Sequence, residues 1–428
     1  MLQAMQAACL ALAFFVLPTA HAAETVVPPG LNTLASAVTA ATPGDTLILQ
    51  DGGYSGSTNL TIDKSLTIRA SKRSTGAVID LAMVVDRAGI DVTIQGLTFA
   101  RSLYLAAGRS IRVLENTFVA SAAIDPSLYR TTEGDGTLYV VGNRLLPGSN
   151  IEAVRADNSY IAGNVLSDGI ITIQASVWVV GNDIKYRGRD GFSDSWYQVA
   201  ALQLSGSGIS VRVLGNRITC IGGQNYCQGI GISNVPQTLV AGNVISILAS
   251  YAGVSAGIGT EGSGIRDIRN NTIDGTGTTN GSSFGIWKAT GGGATSVVGN
   301  SVTNFAGEAI AFPGNSTEIQ GNLCFGNARP GGCSVAGNLD SDPAFQDKVD
   351  FRPSPGSPAI DAGPSDLAYA DLDRTRNDIG AYGGPWSIGQ YDAQRDPSNF
   401  APYVYPLFNA GFVGGELEVE ALGVARLR

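Results

Sequence analysis

The sequence predicts an all-β solenoid: one tube of stacked coils built from short strands. Three observations carry this. A short β-branched run that ends in Gly-Asn or a close variant, followed by another apolar residue, recurs as RVLENTF, YVVGNRL, YIAGNVL, WVVGNDI, RVLGNRI, LVAGNVI, DIRNNTI, SVVGNSV and EIQGNLC. A second short run (GIITI, AALQL, GIGIS, GIGTE, GIWKA, AIAFP) precedes the next marker asparagine by 11 to 14 residues, counted from its first interior apolar residue. Finally, 56 of the 428 residues are glycine, which implies many turns rather than long helices.

The marker residues are Asn116, Asn143, Asn164, Asn182, Asn216, Asn243, Asn271, Asn300 and Asn322, spaced 18 to 34 residues apart. Each repeat therefore holds at least two short strands at fixed separation, and the slack falls after the marker. A unit this short cannot bury its own apolar face, but stacked coils can, each adding about 4.8 Å. Asparagine suits the turns because it tolerates the left-handed region and its amide bonds backbone groups. Stacked asparagines could also bond one another. Hairpin architectures fit poorly, because Gly-Asn precedes an apolar residue each time. Residues 45–338 should form about ten to thirteen coils.

The open end of such a stack needs a cover. Residues 23–44 supply it: Leu31, Leu34, Val38 and Ala41 fall on one helical face and Pro43-Gly44 ends the helix. Strands follow at TLILQ, LTID and LTIRA. This opening, with the Gly-Asn coils, resembles the right-handed parallel β-helix superfamily, the pectate-lyase-like fold. That resemblance implies a single right-handed parallel β-helix and leaves the activity open, because the fold serves lyases, hydrolases, epimerases and non-catalytic surface proteins. Residues 339–385 contain GSPAIDAG and DIGAYGG. They resemble the C-terminal segment of bacterial choice-of-anchor Q surface proteins, which implies a secreted or cell-surface setting. Residues 386–428 form a tail of unassigned role.

Residues 1–22 read as an export signal: an apolar run ends in Ala20-His21-Ala22, a small-x-small cleavage pattern. The expected location is secreted, periplasmic or cell-surface, with no transmembrane helix in the mature chain. In an oxidising compartment, Cys220 with Cys227 and Cys324 with Cys333 are natural loop staples. The one histidine, His21, lies in the signal. Histidine-dependent nucleophiles, bases and metal sites are thereby excluded, leaving carboxylates, Lys, Arg, Tyr or an oxygen-bound hard cation. Clustered aspartates (340, 342, 347, 350, 371 and 373) could hold Ca²⁺, although solvated turns explain them equally well. Charge is uneven: residues 60–220 hold 16 Lys/Arg against 14 Asp/Glu, and residues 221–428 hold 11 against 19. A polyanionic partner favours the first half. Nucleic acid is not expected, because no basic stripe or binding motif is present. The oligomeric state is left open.

Repeat insertions tend to gather on one face, often the binding face. The long ones here (185–198, 220–227, 274–283 and 324–333) all follow the marker, so they should wall a groove along the tube. A groove of that shape suits a chain-like ligand such as an acidic polysaccharide. The loop 185–198 is the most cationic and aromatic. Arg187 and Arg189 match uronate carboxylates bidentately. Trp196 and Tyr197 offer sugar-stacking surfaces. Lys185 or Tyr186 could remove a C5 proton if desolvated. The alternative is a loop held by its own Arg–Asp pairs. On the second run, alternation places Gln203, Gly231, Gly259 and Trp287 in one outward column. Lys288 and Glu261 end their strands nearby, although strict alternation turns Lys288 inward. The two functional expectations are cleavage or epimerisation of an acidic polysaccharide by C5 proton abstraction, and non-catalytic glycan binding or adhesion.

Overall fold

The computed structural model describes residues 22–72, 76–119, 128–129, 136–188, 199–222, 227–248, 254–289, 291, 293–312, 317–392, 402–408 and 411–426. Three parallel sheets form a right-handed β-helix. Sheet A has 13 strands, from Glu24–Val27 to Thr317–Gln320; sheet B has 13, from Gly30–Leu31 to Leu323–Phe325; sheet C has 12, from Leu60–Ile62 to Arg329–Gly331. The chain runs from A to B to C in each coil. Strands are short and alternate, so residues such as Ile161, Ile184, Leu202 and Ile230 point inward and are fully or almost fully buried. They merge into one continuous core.

Coiling starts earlier than the repeat implies. Glu24–Val27 already pairs in parallel with Thr46–Leu49. The helix spans Thr33–Ala40 and buries Leu34 and Val38. Leu31 precedes the helix in a two-residue strand and is 69% exposed, so it does not join the helical face.

The marker asparagines stand at the corner between sheets A and B and bond to one another. Each side-chain amide nitrogen from Asn116 to Asn322 donates to the carboxamide oxygen of the next asparagine at 2.9–3.1 Å, ending at Asn338. The same oxygens accept the backbone N–H of the preceding marker. The amide nitrogens also donate to strand carbonyls inside the corner. Buried turn groups are thereby satisfied by a side chain that stacks with the coils.

After the last coil the chain folds back over the outside of the tube. Phe351, Ala381 and Ile388 pack on Val244 of sheet B. Arg217, also on sheet B, pairs with Asp350 at 2.8 Å and Asp392 at 3.2 Å. Trp386, Tyr391, Tyr403 and Tyr405 then cover Leu114, Val141, Ala162, Val180 and Leu214 of sheet A. A hairpin of Tyr403–Phe408 with Val419–Val424 completes the cover. The glycines before the markers have a second role here. Gly163 has φ +61°, and a Cβ on it would lie 1.7 Å from the Tyr405 hydroxyl.

Candidate functional site

The insertions leave the tube at one edge. Among the described residues, the connection 275–282 from sheet B to sheet C lies there, and the strands on either side of 189–198 and 249–253 end and begin at the same edge. Cys220–Cys227 joins the end of a sheet B strand to the start of the next sheet C strand, with a Cα–Cα distance of 6.0 Å. Cys324–Cys333 reaches from sheet B to the short helix Gly332–Ser334 beyond the last sheet C strand, at 6.2 Å, so 324–333 is not an insertion loop. Lys185 lies on strand Asp183–Tyr186 just before the edge and is exposed on the outer face of sheet B. Arg187 is exposed at the edge, and its guanidinium stands 3.9 Å from Asp168 of the previous coil. The Asp168 carboxylate also accepts the Arg187 backbone N–H at 3.0 Å. Asp183 faces Arg217 rather than the loop, and burial raises its carboxyl pKa. Arg189, Trp196 and Tyr197 lie outside the described residues.

Tyr186 is corrected by the structure. Strand alternation turns it inward, where it is 4% exposed in the main core, away from any surface ligand. The outward column on sheet C is present as expected: Thr172, Gln203, Gly231, Gly259, Trp287 and Ala311 are successive register partners. Trp287 is half-exposed and stacks on Phe284, with ring centroids 5.4 Å apart. Gln203 is nearly buried and donates to the Ala200 carbonyl at 3.1 Å. Beside this column, Gln228 is fully buried and neither end of its amide has a hydrogen-bond partner. Such a group favours a ligand or water that can bond it.

Lys288 and Glu261 do not border the insertion edge. Both end their strands at the opposite corner, between sheets C and A. Lys288 points into the tube, 3% exposed, and donates to the Gly293 carbonyl at 3.3 Å. Burial, and then the nearby Arg266, lower its pKa. Glu261 accepts a hydrogen bond from the Ser233 hydroxyl. Sequence reasoning missed Tyr104 and Glu152, which lie on earlier strands of sheet C. Those coils lack the Gly-Ile run that marked the later ones. Register links Tyr104 to Tyr129 and Tyr129 to Glu152.

The aspartates read as a possible Ca²⁺ site are occupied with turns. Asp342 accepts from Ala344, Asp347 from Val349 and Asp350, and Asp373 from Thr375. No group of three or more metal-ligating side chains occurs among the described residues. Asp371 accepts backbone N–H groups from Gly384 and Asp378, and its pKa is pushed up to about 7, chiefly by burial. The folded state therefore holds a proton at Asp371 that the unfolded chain releases near pH 4. The stability this supplies is complete below about pH 4 and is lost as pH rises to about 7. Asp371→Asn should flatten that decline, measured as the thermal midpoint between pH 4 and 8.

Two cavities, of about 340 and 430 Å³, lie on the side of the tube opposite the insertion edge, between sheet A and the C-terminal segment. Neither touches the insertion loops.

No family model matches the chain, the 339–385 segment included, and no curated protein matches it. Among solved structures it is similar to the PL6 family alginate lyase AlyGC, at 14% identity and TM-score 0.30, covering 71% of this chain and 39% of that one. It is also similar to pectate lyase Pel9A, at 13% identity and TM-score 0.36, covering 84% and 96%. The chain thus spans well under half the length of the alginate lyase. Identities and scores this low add nothing beyond the likeness of a parallel β-helix.

Proposed function

We propose that this protein is exported and binds an acidic polysaccharide lengthwise along the outer face of sheet C. Arg187 and Arg189 engage its carboxylates, and Trp287 together with Trp196 and Tyr197 meets its rings. The observation that carries the reading is the shared edge: Lys185 and Arg187 are exposed where sheet B hands over to sheet C, beside the Gln203–Trp287 column. Two loop disulfides agree with export.

On the catalytic version of this reading, the arginines neutralise a uronate carboxylate and Lys185 removes the C5 proton, giving β-elimination or epimerisation. A base role requires water to be excluded around Lys185. The exposure of Lys185 on its strand favours the second version, a non-catalytic glycan binder or adhesin. Oxidised protein beginning at Ala23, with and without Ca²⁺, should be mixed with alginate, pectate, heparinoid and chondroitin chains. Ultraviolet absorbance follows unsaturated uronate ends, and calorimetry follows binding. At least one class of binding sites for one of these chains should weaken about tenfold or more in Lys185→Ala/Arg187→Ala. A rise in absorbance lost in the same variant identifies the lyase. No binding to any acidic chain refutes the proposal.

A further inference from the structure

The geometry points to a second site, separate from the insertion edge: an acidic glycan chain binds along the outer face of sheet A beside the C-terminal segment, held by Arg112 and Arg212. The site is built on one column of outward residues. Arg112, Tyr139, Tyr160, Trp178 and Arg212 are successive register partners on consecutive coils. Arg112, Tyr139 and Tyr160 line the 340 Å³ cavity and Arg212 lines the 430 Å³ one, with Trp178 on the rung between. Four rung steps at about 4.8 Å place the two arginines about 19 Å apart along the axis.

The chemistry of this column is that of an anion-reading surface. The Arg112 guanidinium lies 5.3 Å from the Tyr139 ring centre, and that of Arg212 lies 4.7 Å from Trp178. Tyr139 and Tyr160 stack on each other at 5.3 Å. The ring faces are thus occupied within the ladder, and the arginine planes are fixed with their N–H edges free to point outward. A planar, pre-positioned guanidinium is well suited to a bidentate carboxylate or sulfate. Among the described residues neither arginine has a carboxylate within salt-bridge distance; Arg212 has only a 3.5 Å contact to the Ser210 hydroxyl. Burial lowers the Arg212 pKa, and the charge of Glu420 partly opposes this, so an anion brought to Arg212 meets a partly desolvated guanidinium and must compete with Glu420. Glu420, exposed at the rim, lines one cavity, and Asp267, paired with Arg269, lines the other. A straight ladder over successive rungs, with an arginine at each end, favours a regular chain bearing anionic groups at intervals. A peptide would instead be expected to pair with an open sheet edge, and this surface is a sheet face.

The test is a calorimetric titration with a defined oligouronate, its carboxyl-reduced counterpart and an oligoglutamate of equal charge. The proteins are the full chain, Arg112→Gln/Arg212→Gln, Lys185→Ala/Arg187→Ala, and Arg144→Gln, an exposed arginine on sheet B, as the control. Circular dichroism confirms that each is folded. The expected result is a salt-dependent oligouronate site that persists in Lys185→Ala/Arg187→Ala, persists in Arg144→Gln, and weakens about tenfold or more in Arg112→Gln/Arg212→Gln. The carboxyl-reduced chain should bind at least about tenfold more weakly. Unchanged binding in Arg112→Gln/Arg212→Gln overturns the inference. So does equal loss in Arg144→Gln, which would mean general charge attraction, and so does oligoglutamate binding as tightly as the glycan. Loss in Lys185→Ala/Arg187→Ala alone would support the insertion edge and reject this second site.

Discussion

Asn182→Ala is expected to destabilise the middle coils by about 3–5 kcal/mol. The Asn182 carboxamide oxygen accepts from the Asn164 backbone N–H and from its side-chain amide, both at 2.9 Å. Its nitrogen donates to the Ile161 carbonyl at 2.8 Å and to the Asn216 oxygen at 2.9 Å. The residue is fully buried, so water cannot replace these partners without opening the corner. Each unmet buried group costs about 1–3 kcal/mol, and relaxation keeps the total below a simple sum. Asn338→Ala, at the part-exposed end of the ladder, should cost about 1 kcal/mol or less. Denaturant melts with hydrogen exchange at coils 160–220 would check both, since a solenoid opens locally before it opens globally. Equal effects at the two positions would mean that the ladder contributes little.

Gly163→Ala is expected to loosen the C-terminal segment from sheet A. Left-handed backbone alone costs an alanine about 1–2 kcal/mol. The added methyl also meets the buried Tyr405 hydroxyl at 1.7 Å and its ring carbon Cζ at 2.6 Å. The tyrosine must move, and it carries Tyr403 and Trp386 with it as members of the same cluster. We expect a total loss of about 3 kcal/mol or more. Two comparisons separate strain from clash. Gly208 has φ +84° with nothing within 4 Å of the added methyl, so Gly208→Ala should show the strain alone. In a Tyr405→Ala background, adding Gly163→Ala should cost only about 1–2 kcal/mol more. Limited proteolysis of the 400–426 region reports the detachment directly. A Gly163→Ala protein as stable and protease-resistant as Gly208→Ala would contradict the account of how the tail is held.

The tube was legible because its signals are local and repeated. Marker spacing and two apolar runs per repeat specify the coils, and the stacked asparagines follow from the stacking itself. Outward alternation placed Gln203 and Trp287 in one column, which the register bears out. The same alternation puts Tyr186 in the core and Lys288 in the tube, so parity along each strand outweighs residue type in deciding what reaches the surface. The fold-back of the tail was not legible. It depends on contacts between residues hundreds of positions apart, and the Gly-Asn pattern has a sufficient local explanation that conceals the close approach of Tyr405. The sheet A column did carry a readable signal: Arg112, Tyr139, Tyr160, Trp178 and Arg212 each stand four residues before a marker asparagine. It passed unnoticed because aromatic residues at a fixed strand position also read as packing.

The most direct test of the proposed function is lysine acylation with mass-spectrometric readout, with and without the best-binding acidic chain. Lys185 and Lys72 are both exposed, and Lys72 follows strand Leu66–Ala70, five coils nearer the N-terminus. Protection of Lys185 with unchanged labelling of Lys72, strengthening as the chain saturates, is the predicted result. Equal labelling of Lys185 in free and saturated protein would contradict binding at the insertion edge.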